Sequence, residues 1–473
     1  MLTGDVDRKD DPTKRPLRVA VVFDVMTHRS HANVILENFL EPYYFDGAVV
    51  DPCEDFQIVS LCADHPEGHE ESGDPVRRKD MSKAVAREYG IRLYDTIAAA
   101  LCAGGEQLAV DAVLSIGEGG GGDKYGYTEL GQPKYPRKRF FDEIVTVFRK
   151  SGRAVPVFSD KHLSYSWAHA DEMVCTSKQL GFEMMAGSSL PFAEQRPPLN
   201  IPPGASITGA VAIHGHAVEV YDFHALELLQ AKLERRDGRD AGVAAVQFLE
   251  GDKVIAATAD GRISTDLVSA AMAAEDVVEG TTYSAQLGRD WELVQTTVRQ
   301  RDIATNSVIH PNMRFSPDGS VQKPHAILLR YADGLRAAVV RIGDDNLRWN
   351  FACQLKDEVQ VRATRYHVGP WRGRWGFKAF SHAIQHFIKN QCAPIPVERT
   401  LLVTGILEAA MQSRHSGGVE VPTPHLEFGY ESRDFDRFCE HGRTWRLLDE
   451  LSPSLKEPQA ALARFEGLLQ ARI

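Results

Sequence analysis

No glycine stands in the turn between the first apolar strand and the first helix of this 473-residue chain. Leu17 to Phe23 reads as a buried strand and Ser30 to Leu36 opens a helix, so the turn runs from Asp24 to Arg29. A dinucleotide-binding unit carries G-x-G-x-x-G there, because only glycine turns tightly enough for a pyrophosphate to reach the helix N-terminus. Phe23-Asp24-Val25-Met26-Thr27-His28 excludes that fingerprint. Paired cysteines are missing too: the seven cysteines, at 53, 62, 102, 175, 353, 392 and 439, are odd in number and form no C-x-x-C. This excludes a disulfide scaffold and a cysteine-rich zinc site, and it fits a reduced compartment, so a cytoplasmic location is expected. No run of lysine or arginine offsets the net charge of -11, which argues against a nucleic-acid partner. No apolar run reaches the length of a membrane span, and the first sixteen residues are charged and proline-interrupted. Neither a membrane partner nor an export signal is expected.

What is present is an ordinary globular composition, 43% apolar and 25% charged, long enough for more than one domain. After a polar tail over residues 1–16, strand and helix patterns alternate: strands at 17–23, 56–63, 111–116 and 154–158, helices at 30–40, 80–90, 138–151 and 163–180. This alternation predicts a parallel sheet with helices on both faces. Asp64, at the end of the second strand, stands where a ribose-binding acid would, or else is an acidic loop residue. The proline-rich stretch Leu190 to Pro203 reads as a crossing between domains. Beyond it, Gly242 to Phe248, Lys253 to Thr258, His325 to Tyr331 and Leu335 to Ile342 read as strands of a mostly antiparallel sheet, interrupted by a helix near Phe223 to Arg236. Val397 to Met411 is a strong helix pattern, and two amphipathic patches follow from Asp434. The expected domains are 17–185, 186–425 and a helical extension over 426–473.

Several segments together resemble the Gfo/Idh/MocA oxidoreductase family: Val110 to Ile116, Val155 to Leu163, His224 to Leu229 and the helix around Arg399 to His415. The resemblance covers residues 17 to 425. It implies an α/β chain with a Rossmann-like doubly wound parallel sheet plus a second α/β domain whose large, mostly antiparallel open sheet forms subunit contacts, hence a homo-oligomer. It also implies NAD(P)-dependent oxidation or reduction of a small-molecule substrate: a sugar, a cyclitol or a related polyol or carbonyl compound. The family's lysine falls on Lys161, which would orient the reacting oxygen, and its histidine falls on His224, which would act as acid or base; a solvated lysine and a satisfied core histidine are the plain alternatives. Asp222 stands in for an acid that is Val220 in this alignment. Asp64, Glu118 and Asp160 are the residues placed to meet a cofactor. The chain departs from the family at Phe23, Val25 and His28, which replace the three glycines, and at Asp160 and His162, which replace the glutamate and proline of E-K-P. It also inserts the glycine-rich run Gly117 to Tyr127 and the segment from Gln132 to Arg139.

A second chemistry stays open beside this one. Glu118, Asp160, His162 and His224 would converge at one sheet edge under the resembling fold, with Asp123, Asp24, His28 and His31 nearby. Imidazole and carboxylate ligands of this kind suit a catalytic Zn²⁺, Mn²⁺ or Fe²⁺ serving a lyase, isomerase or hydrolase without nicotinamide. A non-catalytic sensor that kept the fold is a third possibility. His382 and His386, four apart on a helix pattern, read as a surface face, and Tyr366 to Trp375 as an aromatic turn packed into an interface.

Overall fold

The structure, a computed structural model, describes residues 15–27, 30–65, 80–118, 124–238, 242–275, 323–343, 347–368 and 375–444. Its first half contributes β1 (Leu17–Phe23), the hairpin β2 (Tyr43–Phe45) and β3 (Ala48–Val50), then β4 (Phe56–Ala63), β5 (Arg92–Tyr94), β6 (Ala112–Ile116), β7 (Val157–Asp160) and β8 (Met184–Gly187). Six of these form one sheet in the order β5-β4-β1-β6-β7-β8, every neighbouring pair parallel. β1 and β6 are apolar and buried over most of their length because helices cover both faces. The strand order reverses between β1 and β6, and an open α/β sheet binds its ligand at the carboxyl ends beside such a switch.

The helices of this half are α1 (His31–Leu40), α2 (Ser82–Glu88), α3 (Ile97–Leu101), α4 (Arg137–Ser151) and α5 (Trp167–Leu180). Ser30 caps α1 by accepting from the Asn33 amide, and glycines 152 and 181 close α4 and α5 in the left-handed conformation that favours glycine. β7 begins at Val157 and not at Ala154, since Pro156 has no amide to give the ladder. β8 was not foreseen. It is a four-residue strand and shows no alternation to read.

The second half contributes β9 (Glu194–Arg196), β10 (Ile207–His214), β11 (Val243–Glu250), β12 (His325–Tyr331), β13 (Arg336–Arg341), β14 (Trp349–Leu355), β15 (Arg362–His367) and β16 (Val421–Pro422). They form an eight-stranded sheet in the order β16-β11-β12-β13-β10-β14-β15-β9, in which only the β10–β13 pair is parallel. α6 (Val220–Leu233) and α10 (Val397–His415) pack on one face through Phe223, Leu226, Leu402 and Ile406. On the other face, α7 (Asp252–Ala259) and α8 (Thr265–Ala273) set Val254, Ala257, Leu267 and Val268 against Val211, Ile213 and Val340. The stretch Lys253 to Thr258, expected as a strand, is therefore helix. Gly251, at φ 61, turns the chain out of β11, and the apolar residues that looked like alternation face the sheet at helical spacing. α9 (Trp375–Asn390) returns to the first sheet, joining Phe380, Ile384 and Phe387 to the core of Val19, Val21 and Leu36. No helix among the described residues is long and apolar enough to cross a membrane. The two amphipathic patches expected after Asp434 fall mostly outside the described residues.

Candidate functional site

Each side chain at the switch point is delivered by the end of an element. β6 ends at Ile116, and Gly117 follows so closely under α4 that a Cβ there would stand 3.2 Å from Pro136 Cγ; the next residue is Glu118. β7 ends at Asp160 and hands on to Lys161, whose backbone is left-handed at φ 62 and is tied to Gly187 by two hydrogen bonds, Lys161 N to Gly187 O at 3.1 Å and Gly187 N to Lys161 O at 3.2 Å. α1 begins with His31, and α6 carries His224 in its second turn.

These residues meet. Lys161 Nζ lies 2.8 Å from Glu118 Oε1, and the amide of His31 donates to Glu118 Oε2 at 3.5 Å. His31 Nδ1 lies 2.8 Å from Asp160 Oδ2, the His31 and His224 rings are 6.2 Å apart, and Phe377 closes edge-on over His31 at 4.8 Å. Ser188, just past β8, bonds His224 Nδ1 at 2.7 Å while accepting from the Leu190 amide, which fixes the imidazole and leaves Nε2 for a ligand. The Lys161 side chain is 5% exposed and that of Asp160 is 1% exposed, so their charges act in a poorly screened environment.

The electrostatics divide the roles. Burial alone would raise the Glu118 carboxyl, but His31, Lys161 and Arg137 outweigh it and hold the group well below the ordinary carboxylate range. Burial, with Lys161 and His31 beside it, pushes His224 well below the usual imidazole value. At neutral pH His224 is therefore a neutral base facing an ammonium already neutralised by Glu118. Behind them, burial pushes Glu227 up to about 7; its carboxyl accepts from Thr400 Oγ1 at 2.8 Å and lies against Gly187.

The structure thus brings together Glu118, Asp160, Lys161 and His224, and adds His31, which the sequence reading held at the margin. Ser188 and Glu227 were not foreseen as partners of the site. A serine three residues past an apolar Met-Met pair was the only signal for the first, and the H-x-x-D match the only one for the second. His162 does not join the set. Its buried ring lies 3.0 Å from Arg137 Nη1 and 3.2 Å from Glu219 Oε1, with Nδ1 donating to the Ser164 carbonyl. A guanidinium at that distance repels a cation, so the proposed metal set of Glu118, Asp160, His162 and His224 is corrected. Asp222 is likewise displaced from a catalytic role. It has no accessible surface, His214 and His325 share its Oδ1 at 3.0 and 2.8 Å, and the Glu219 amide takes Oδ2, so it anchors the start of α6. His382 and His386 are half-buried against Phe45 and Phe438 and are not a surface pair. His28 and Asp123 lie outside the described residues, as do residues 369–374 of the Tyr366 to Trp375 turn.

The first turn does not fit a dinucleotide held by its pyrophosphate. Phe23 and Met26 are core residues, Val25 is buried, and the amides at the start of α1 are already used: that of His31 by Glu118, that of Asn33 by Ser30. A carboxylate occupies the helix N-terminus that should receive phosphate. Asp64, the expected ribose acid, accepts from Tyr125 at 2.8 Å and pairs with Arg139 at 2.5 Å. Donor atoms of His31, Glu118 and Asp160 lie within 4.8 Å of one another, a geometry open to a cation, but Lys161 is the cation that Glu118 holds. A cavity of about 840 Å³ lined by Lys232, Tyr366 and Cys439 contains none of these residues.

No family model matches this sequence, and no curated protein does. Solved structures match it in fold. GenD2 from gentamicin A biosynthesis, in complex with NAD, is 12% identical at a TM-score of 0.51, the match covering 89% of this chain and 99% of that one. A myo-inositol dehydrogenase from Lactobacillus casei, in complex with NAD(H) and myo-inositol, is 10% identical at 0.49, covering 89% and 100%. A probable dehydrogenase from Thermotoga maritima is 12% identical at 0.47, covering 87% and 100%. At this identity the likeness concerns architecture alone. The chain has the two-domain fold of the Gfo/Idh/MocA-type dehydrogenases.

Proposed function

We propose that this chain is an enzyme of the oxidoreductase fold acting on a sugar, a cyclitol or a related polyol or carbonyl compound, with Lys161 and His224 handling the proton of the reacting oxygen. The observation that carries this is the convergence of a buried ammonium and a buried neutral imidazole at the carboxyl edge of the parallel sheet. Lys161, held by Glu118, would donate a further hydrogen bond to the oxygen and stabilise negative charge that develops there. His224, its ring held by Ser188, takes the hydroxyl proton or returns it. Asp160 orients His31 beside them. The proposal includes no dinucleotide seated at the first turn.

The test is turnover of a panel of hexoses, inositols and sugar acids. It is followed both by nicotinamide absorbance with added NAD⁺ or NADP⁺ and by product analysis without added nucleotide. Lys161→Met and His224→Gln are each expected to lower turnover by about a hundredfold or more, the usual contribution of a positioned acid or base, with unchanged circular dichroism. Turnover that survives both substitutions would falsify the assignment.

A further inference from the structure

Arg137, the first residue of α4, is 1% exposed. Its position is fixed from three sides. Its Cγ lies over Gly117, at 3.3 Å from where a Cβ would stand; the Tyr135 ring lies under the guanidinium at 4.1 Å; and Nη1 meets the His162 ring at 3.0 Å. The other two nitrogens, Nε and Nη2, have no hydrogen-bond partner among the described residues. Those two N–H groups lie on one edge of the guanidinium and point the same way, which makes a fork matched to the two oxygens of a carboxylate. Leaving such donors unmet in a buried place is costly, and an unused fork beside a catalytic cluster marks a ligand position. The neighbouring carboxylates do not fill it. Glu118 gives its oxygens to Lys161 and to the His31 amide, and Glu219 approaches His162.

We propose that the Nε–Nη2 edge of Arg137 receives the carboxylate of an acidic polyhydroxylated substrate, a sugar acid, while Lys161 and His224 address an oxygen of the same molecule. The inference rests on the function proposed above and specifies its substrate class. Arg137 lies next to Gly117 and Glu118, and Glu118 touches Lys161, so a single small molecule spans the two groups. Glu118 and Glu219 lie nearby, and a flat monoanion meets less repulsion beside them than a phosphate dianion.

The test is calorimetric binding of D-glucuronate and D-galacturonate against D-glucose and D-galactose, on the full chain. The acids are expected to bind at least about tenfold more tightly than the neutral sugars, in line with a charge-assisted bidentate contact. Arg137→Lys keeps the charge and loses the fork. It should remove that preference by weakening the acids while leaving the neutral sugars unchanged. Arg137→Ala should lose the preference and regain it with added ethylguanidinium, which separates the contact from any packing defect. Equal affinity for acids and neutral sugars, no binding of either, or a preference that survives both substitutions overturns the carboxylate subsite. An Arg137-dependent preference with turnover indifferent to Lys161 and His224 overturns the proposed function and leaves the subsite standing.

Discussion

Lys161 occupies a backbone conformation that most side chains avoid, at φ 62, and is held there by its paired bonds to Gly187. A chain with no use for the ammonium would gain by placing glycine at 161. Comparing Lys161→Gly with Lys161→Ala isolates this strain, because both remove the Glu118 partner. The glycine variant is expected to be the more stable by about 1 kcal/mol, the reverse of the usual order in ordered backbone. Urea unfolding checks it, and both variants should be inactive. At this scale the sequence was informative where a residue follows an apolar run. Glu118, Asp160 and Lys161 stand at strand ends, and pattern alone puts strand ends at the ligand edge. Arg137 and Ser188 were illegible as site residues, since nothing in sequence shows that a basic residue after Tyr-Pro is buried with an empty edge, or that a serine reaches a histidine 36 residues on.

Among the elements, α1 differs most from what its resemblance implies. Its N-terminus is capped by Ser30 and faced by Glu118, so its partial positive charge is already neutralised. NAD⁺ and NADP⁺ are expected to bind more weakly than about a micromolar, and Glu118→Ala, which frees the His31 amide and removes a charge facing the pyrophosphate, should strengthen whatever binding there is. Calorimetry on the two proteins decides it; sub-micromolar binding by the wild type, with phosphates on α1, would contradict the filled turn. The absence of glycine made this legible in advance. The identity of the group filling the turn was not, because Glu118 comes from the end of β6, 87 residues along the chain from His31. Strand Met184–Gly187 was not foreseen and helix Asp252–Ala259 was misread for a common reason. Segments this short carry too few residues to separate the two periods, and tertiary packing decides between them.

Across the whole molecule, buried histidines set the response to acid. Burial pushes His382, stacked on Phe45, down to about 4, with His386 adding to the effect, and burial beside Arg196 and Arg365 pushes His367 down to about 3. The unfolded chain takes up these protons near pH 6.5, before the folded one does, so the stability is fully present above about pH 6.5 and is lost as pH falls towards 4. For His382 the loss is up to about 3 kcal/mol. Thermal melts from pH 7 to 4.5 should show a falling midpoint, with a shallower slope in His382→Gln; parallel slopes would remove His382 from the account. The general architecture was legible at this scale, from alternation in the first half and strand-rich runs in the second, whereas the return of Trp375–Asn390 to the first sheet depends on contacts some 350 residues apart in sequence, such as Asn38 Nδ2 to Ser381 Oγ. The face of the large sheet on which the resemblance places subunit contacts is packed by α7 and α8 of the same chain. Covering that face is thus a first-order event. The stability it contributes stays with each molecule at any dilution, and an association between copies through this sheet would use its edges or the outer sides of those two helices.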